Sequence, residues 1–99
     1  MYKLERDVEQ ALRCRVEKHG GLCLKWVCPG WSGVPDRIIL LPGGQVMFVE
    51  TKRPKGGRIE PLQKWWAKTL HRLGFRHLFV HTVADIDVLE QYIKEGEAK

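Results

Sequence analysis

The stretch "VPDRIILLPGGQVMFVETKRP", residues 34–54, restricts this chain more than any other. Two apolar runs, "DRIILL" and "QVMFVETK", flank a Pro-Gly-Gly turn. Runs of this kind bounded by turn residues read as the two strands of a hairpin. Strands so apolar belong against a core. Yet Asp36 opens the first, and Glu50 and Lys52 close the second. Strand side chains alternate between faces, so Glu50 and Lys52 share a face with Phe48 and Thr51 points to the other. A turn centred near residue 43 makes positions 36 and 50 equidistant from it. Asp36 and Glu50 are then cross-strand neighbours, with Cβ atoms about 4.5–5.5 Å apart if directly opposite.

Two carboxylates at that separation repel each other and call for a cation. Lys52 is one candidate and a divalent metal is another. Magnesium suits the pattern, because it takes one or two carboxylates, wants oxygen ligands and keeps several waters. Such an ion stabilises charge at a phosphorus atom and lowers the pKa of a bound water, and a nearby ammonium adds fixed positive charge. A plainer reading is a salt-bridged strand end, with Glu50 on Lys52 or Arg53 and Asp36 capping the loop after Pro35.

The flanking sequence sets the hairpin in an α/β order. Apolar spacing at Leu4, Val8, Ala11, Leu12 and Val16 predicts a helix over 4–18, ended by "HGG". A short strand follows over 22–28, then a Pro- and Gly-rich loop, then the hairpin. The segment "RPKGGRIEP" reads as a basic connection. A helix over 61–74 starts at Pro61, with Leu62, Trp66, Thr69, Leu70 and Leu73 as its inward stripe. A fourth strand over 76–82 and a helix over 85–96 complete the chain, with residues 94–99 expected to fray. The order αβββαβ plus a C-terminal helix gives a three-strand antiparallel meander. The fourth strand returns through a helical crossover as a parallel neighbour, making a mixed sheet. Trp26 and Cys14 are expected in the core, while Trp65 and Trp66 cannot both face it.

At 99 residues, with 43% hydrophobic and 29% charged side chains, a single globular domain spanning 1–99 is expected. The longest apolar run, "IILL", is too short to cross a membrane, and no secretory leader is evident. Three cysteines imply no disulfide framework, which points to a reducing, cytoplasmic setting. The histidines and cysteines lack zinc-site spacing. "PGG" is a turn and not a phosphate loop, so no nucleotide cofactor is implied. Net charge is +5, and residues 52–76 hold eight basic side chains against Glu60 alone. That clustering favours a polyanion such as nucleic acid as partner.

"PD", thirteen residues, then "ETK" resembles the PD-(D/E)xK nuclease signature. Longer matches, "LKWVCPGWSGVPDRIILLPGG" over 24–44, "VMFVETKRPKGGRIEPLQ" over 46–63 and "LGF" over 73–75, resemble the VRR-NUC family, the virus-type replication-repair nucleases. The resemblance covers about residues 4–92 and implies a restriction-endonuclease-like fold. It implies a Mg²⁺- or Mn²⁺-dependent endonuclease with Asp36 and Glu50 as metal acids, Lys52 as catalytic lysine and the Thr51 carbonyl as a further ligand. Gln63 matches the family's helix glutamine. A first-helix glutamate is also implied: Glu9 fits better, and Glu5 stays open. Stand-alone members of the family resemble Holliday-junction resolvases and act as homodimers, which implies branched DNA and a second copy as partners. This bears on DNA repair or phage DNA processing.

Arg53, Lys55 and Arg58 in the loop after the "ETK" strand, with Lys64 beyond it, suit contact with DNA phosphates. Trp31, just before Asp36, suits stacking on a base or filling a dimer interface. The expected function is a structure-selective DNA endonuclease. Its alternatives are a non-catalytic DNA-binding module on the same fold and a sequence-specific restriction-type nuclease.

Overall fold

The computed structural model describes residues 4–98. In chain order its elements are α1 (Glu5–Lys18), β1 (Leu22–Lys25), β2 (Arg37–Leu41), β3 (Gln45–Thr51), α2 (Pro61–Arg72), β4 (Arg76–Val80) and α3 (Val83–Glu97). The strands form one sheet in the order β1-β2-β3-β4. The first three are antiparallel, and β4 joins β3 in parallel after crossing through α2. This is the expected mixed sheet with a C-terminal helix.

Hairpin register runs from Arg37 opposite Val49 to Leu41 opposite Gln45. One step further it faces Asp36 with Glu50, as the count from the turn requires. Residues 42–44 reverse the chain in a single 3-10 turn, with Gly43 at φ 83° and Gly44 at φ 80°. Two successive left-handed residues are accessible to glycine at little steric cost.

Alternation sorts the strands into two faces. One carries Cys23, Ile39, Leu41, Met47, Val49 and Val80, which pack with Val8, Leu12 and Val16 of α1 and Ile86, Leu89 and Ile93 of α3. The other face carries Phe48, on which Trp26 stacks at a centroid distance of 4.9 Å and Phe75 at 5.4 Å. Helix α2 covers only part of it, and Leu22, Leu24 and Leu40 stay exposed.

Several expectations change. Strand β1 ends at Lys25, three residues early; one further backbone bond in the same register, Trp26 N–H to the Asp36 carbonyl at 2.8 Å, follows before the chain enters the loop. The α2 stripe is narrower than its periodicity suggested: Leu70 is buried, but Leu62 and Leu73 are exposed. Leu62 lies over the loop before β2, where a Cβ on Gly33 would sit 2.6 Å from its side chain. Trp66 anchors the middle, donating its indole N–H to the Ser32 carbonyl at 2.9 Å. Trp26 is half-buried against Phe48 and Trp66. Cys14 is exposed, since it lies off the Val8–Leu12–Val16 stripe. Helix α3 continues through Glu97, which His19 holds at 3.0 Å, so fraying does not begin at residue 94; Lys99 lies outside the described residues.

Candidate active site

Four elements meet at the site: β2 begins and β3 ends here, beside α1 and the start of α2. Lys52 donates its backbone N–H to the Val80 carbonyl on β4 at 2.9 Å. Backbone groups alternate direction along a strand, so those of Thr51 face the other way, past the start of β2. There the Asp36 carboxylate accepts the Thr51 N–H at 2.9 Å and also the Thr51 hydroxyl. Thr51 is fully buried. Its side chain ties Asp36 down, and its carbonyl faces the same side as its N–H.

Helix α1 overhangs this point. Glu5 and Glu9 lie one turn apart, and oxygens of Glu5, Glu9 and Asp36 all fall within 4.8 Å of one another. Glu9 accepts from Arg37 at 2.8 Å and lies 3.3 Å from the Thr51 hydroxyl. That hydroxyl has one proton, so it can serve only one of its two acidic neighbours at a time. Burial, then the charges of Asp36 and Glu9, push the Glu5 carboxyl up, against the pull of Lys52 and Arg53.

Glu50 stands beside this trio and outside it. Its side chain turns to Lys52, whose ammonium lies 3.5 Å away, and accepts from the Gln63 amide at 3.0 Å. Burial, then the Asp36 charge, push its carboxyl up to about 7, with Lys52 opposing. Gln63 is fixed in turn: its amide oxygen accepts the Glu60 backbone N–H at 2.9 Å, closing a capping box at the start of α2. A helix start thus orients the group that orients Glu50. Gly57 folds the following loop flat against the strand end. A Cβ there would lie 2.8 Å from the Lys52 Cβ and 2.7 Å from the Arg53 carbonyl oxygen.

The basic residues of the loop are outside this cluster. Arg53 folds back toward the Gly56 carbonyl at 3.5 Å, and Arg58 sits 3.7 Å from Glu60. Arg53, Lys55, Arg58 and Lys64 are exposed. Trp31 is 62% exposed, with its ring edge-on to Trp66. Sequence reasoning weighed Glu5 against Glu9, whereas both reach Asp36. It gave no role to Arg37, although strand alternation already turns that residue toward α1.

This donor set is carboxylate and carbonyl oxygen, with no thiolate or imidazole. Such oxygens suit hard cations of the magnesium, manganese and calcium class. Crowded acids beside a single lysine fit a site that takes positive charge.

Comparisons with known proteins agree with this geometry. The family model of the VRR-NUC domain matches residues 2–84. A protein of Acyrthosiphon pisum secondary endosymbiont phage 1, named "Putative nuclease p44", is 46% identical over 59 residues, which are 60% of this chain and 62% of that one. The chain thus matches less than two thirds of that relative's length. A solved structure described as a VRR_NUC domain superposes with a TM-score of 0.83 at 29% identity, covering 90% of this chain and 96% of its own. The fold is accordingly restriction-endonuclease-like. Among the described residues, no helix is long and apolar enough to cross a membrane.

Proposed function

The chain belongs to the VRR-NUC domain family, and from that membership and the acid–lysine centre we propose that it is a metal-dependent nuclease cutting branched DNA. The observation that carries the reading is the gathering of Glu5, Glu9 and Asp36 oxygens within 4.8 Å of one another, next to Glu50 and Lys52. Asp36, Glu9, Glu5, Glu50 and the Thr51 carbonyl are the groups that would hold Mg²⁺ or Mn²⁺. Such an ion, when bound, supplies an activated water and stabilises charge on the phosphate. Lys52 holds a half-buried ammonium where that charge develops and helps orient the attacking water. Gln63 keeps the Glu50 carboxylate aimed, and Arg37 and Thr51 do the same for Glu9 and Asp36. Arg53, Lys55, Arg58 and Lys64 meet the DNA backbone, and Trp31 offers an exposed ring to an unpaired base.

Branched DNA, as at a Holliday junction, is the finer part of the reading, and with it a homodimer. Two symmetric cuts need two sites related by a two-fold axis. The uncovered row Leu22, Leu24 and Leu40 supports a second copy as the partner of that face. The deciding experiment is a time course on four-way junctions, flaps and linear duplex in Mg²⁺, Mn²⁺ or EDTA, with Asp36→Asn as control. Cleavage of branched substrates that stops with EDTA and with Asp36→Asn is expected. Activity surviving either treatment would sink the mechanism. Cutting unbranched duplex at one fixed sequence would favour a restriction-type enzyme.

A further inference from the structure

A second concentration of charge lies directly behind the acidic trio. Arg6, Gln10 and Arg13 fall on one face of α1 at helical spacing, and with Glu9 and Arg37 they line an open hollow of about 330 Å³. Arg37 stands directly opposite Lys25 in the β1–β2 register, on the same sheet face. Like charges placed opposite each other disfavour strand pairing. The one carboxylate in the hollow is Glu9, which Arg37 already holds at 2.8 Å. Among the described residues, Arg6 and Arg13 are exposed and have no ion-pair partner, and the buried Arg37 Nε has no acceptor. The fold therefore draws cations together here without satisfying them from within.

Position gives the cluster a direction. Glu5, at the start of α1, feels Lys52 and Arg53. Glu9, one turn on, holds Arg37, and Arg13 lies one turn beyond that. At 1.5 Å per residue, Glu5 to Arg13 spans about 12 Å of helix, room for more than one phosphate of a strand. The loop cations and the hollow thus lie at opposite ends of the acidic centre.

We propose that Arg6, Gln10, Arg13 and Arg37 form a seat for a backbone phosphate of the DNA strand, next along from the phosphate at the acidic centre. Arginine is the residue suited to such a seat, because its planar fork meets phosphate oxygens in pairs. This assignment rests on the nuclease reading above and adds the path of the strand. No base edge is read here, so the contact positions the strand without selecting sequence.

The test is equilibrium binding of a labelled four-way junction in EDTA, titrated with salt. Each phosphate contact contributes about 0.9 to the slope of log K against log salt. Arg6→Gln and Arg13→Gln should each lower the slope, the double variant by about 0.9 in all for the one phosphate seated, and should weaken binding equally on unrelated sequences. Lys94→Gln, on α3, serves as the distant control and should leave the slope at the wild-type value. Both tested positions are exposed, and a thermal melt confirms that the variants fold. If wild type binds while both arginine variants keep its slope and affinity, the seat is refuted and the nuclease reading stands. If wild type binds the junction neither in EDTA nor with Ca²⁺ added, both fall.

Discussion

The two faces of the sheet are built to different standards. Under α1 and α3, Val8, Leu12, Val16, Ile39, Val49 and Val80 are completely buried. On the side of α2, aromatic rings touch edge to face, and Leu22 and Leu24 remain 53% and 42% exposed. The closed face supplies stability. The functional groups are assembled where the two faces meet at the strand ends: Glu5 and Glu9 come from the closed-face helix, and Glu50 and Lys52 point to the open face. The site thus draws rigidity from one side and access from the other.

The sharpest way to break this contrast is to separate activity from stability. Lys52→Ala should lower cleavage by about 10²–10³, the loss typical of removing one group that stabilises developing charge. Its melting temperature should change little at pH 7, because Glu50, left without its cation, can take up a proton there. Activity assays paired with calorimetry check this, and a variant that unfolds would make Lys52 a structural residue.

Leu12→Ala is the reciprocal case. Deleting a fully buried leucine costs about 2–5 kcal/mol. Leu24→Ala, on the open face, should cost within about 0.5 kcal/mol in the monomer. Denaturant titrations at low and high protein concentration separate the two. A Leu24→Ala penalty that appears only at high concentration would sharpen the contrast by showing that a second copy covers that face.

These placements differ in how far the sequence could carry them. Register was legible because alternation and a fixed turn leave little freedom: Asp36 and Glu50 are equidistant from residue 43, and Glu50 and Lys52 are two apart on one strand. The α2 stripe was less legible. Helical period says which residues share a face, and not how much sheet lies beneath, so Leu62 and Leu73 read as core. Glu5 and Glu9 read as alternatives because both flank the Val8–Leu12 stripe; only the packing of α1 against the strand ends brings both to Asp36. Arg6 and Arg13 carry no signal of their own in the sequence; the packing of α1 sets them beside Arg37.

A smaller effect tests the aromatic face. Trp66→Phe keeps much of the ring packing and removes the N–H that Ser32 accepts, costing about 1 kcal/mol. A loss of 3 kcal/mol or more would mean that the α2 side is as tightly built as the other.

The smallest effect tests how the closed face is clamped. His19, at the end of α1, contacts Glu90 at 2.7 Å and Glu97 at 3.0 Å on α3. Bonds to Glu90 and then Glu97 raise the His19 pKa above its ordinary 6.5, and the His19 bond lowers Glu90 below 4.5. A raised histidine stabilises fully below 6.5, and that contribution fades as pH climbs through the folded value. A lowered carboxyl stabilises above 4.5 and fades as pH falls through its folded value. The clamp is therefore strongest between about 4.5 and 6.5. His77 acts oppositely: burial pushes it down to about 4, so acidification below 6.5 disfavours the fold. The raw pH profile mixes the two, whereas His77 cancels when wild type is compared with His19→Gln. Their stability difference should be a few tenths to about 1 kcal/mol near pH 6, as for partly exposed pairs, and should shrink by pH 8.5. A difference that stays constant across that range would mean His19 joins the helices by packing alone.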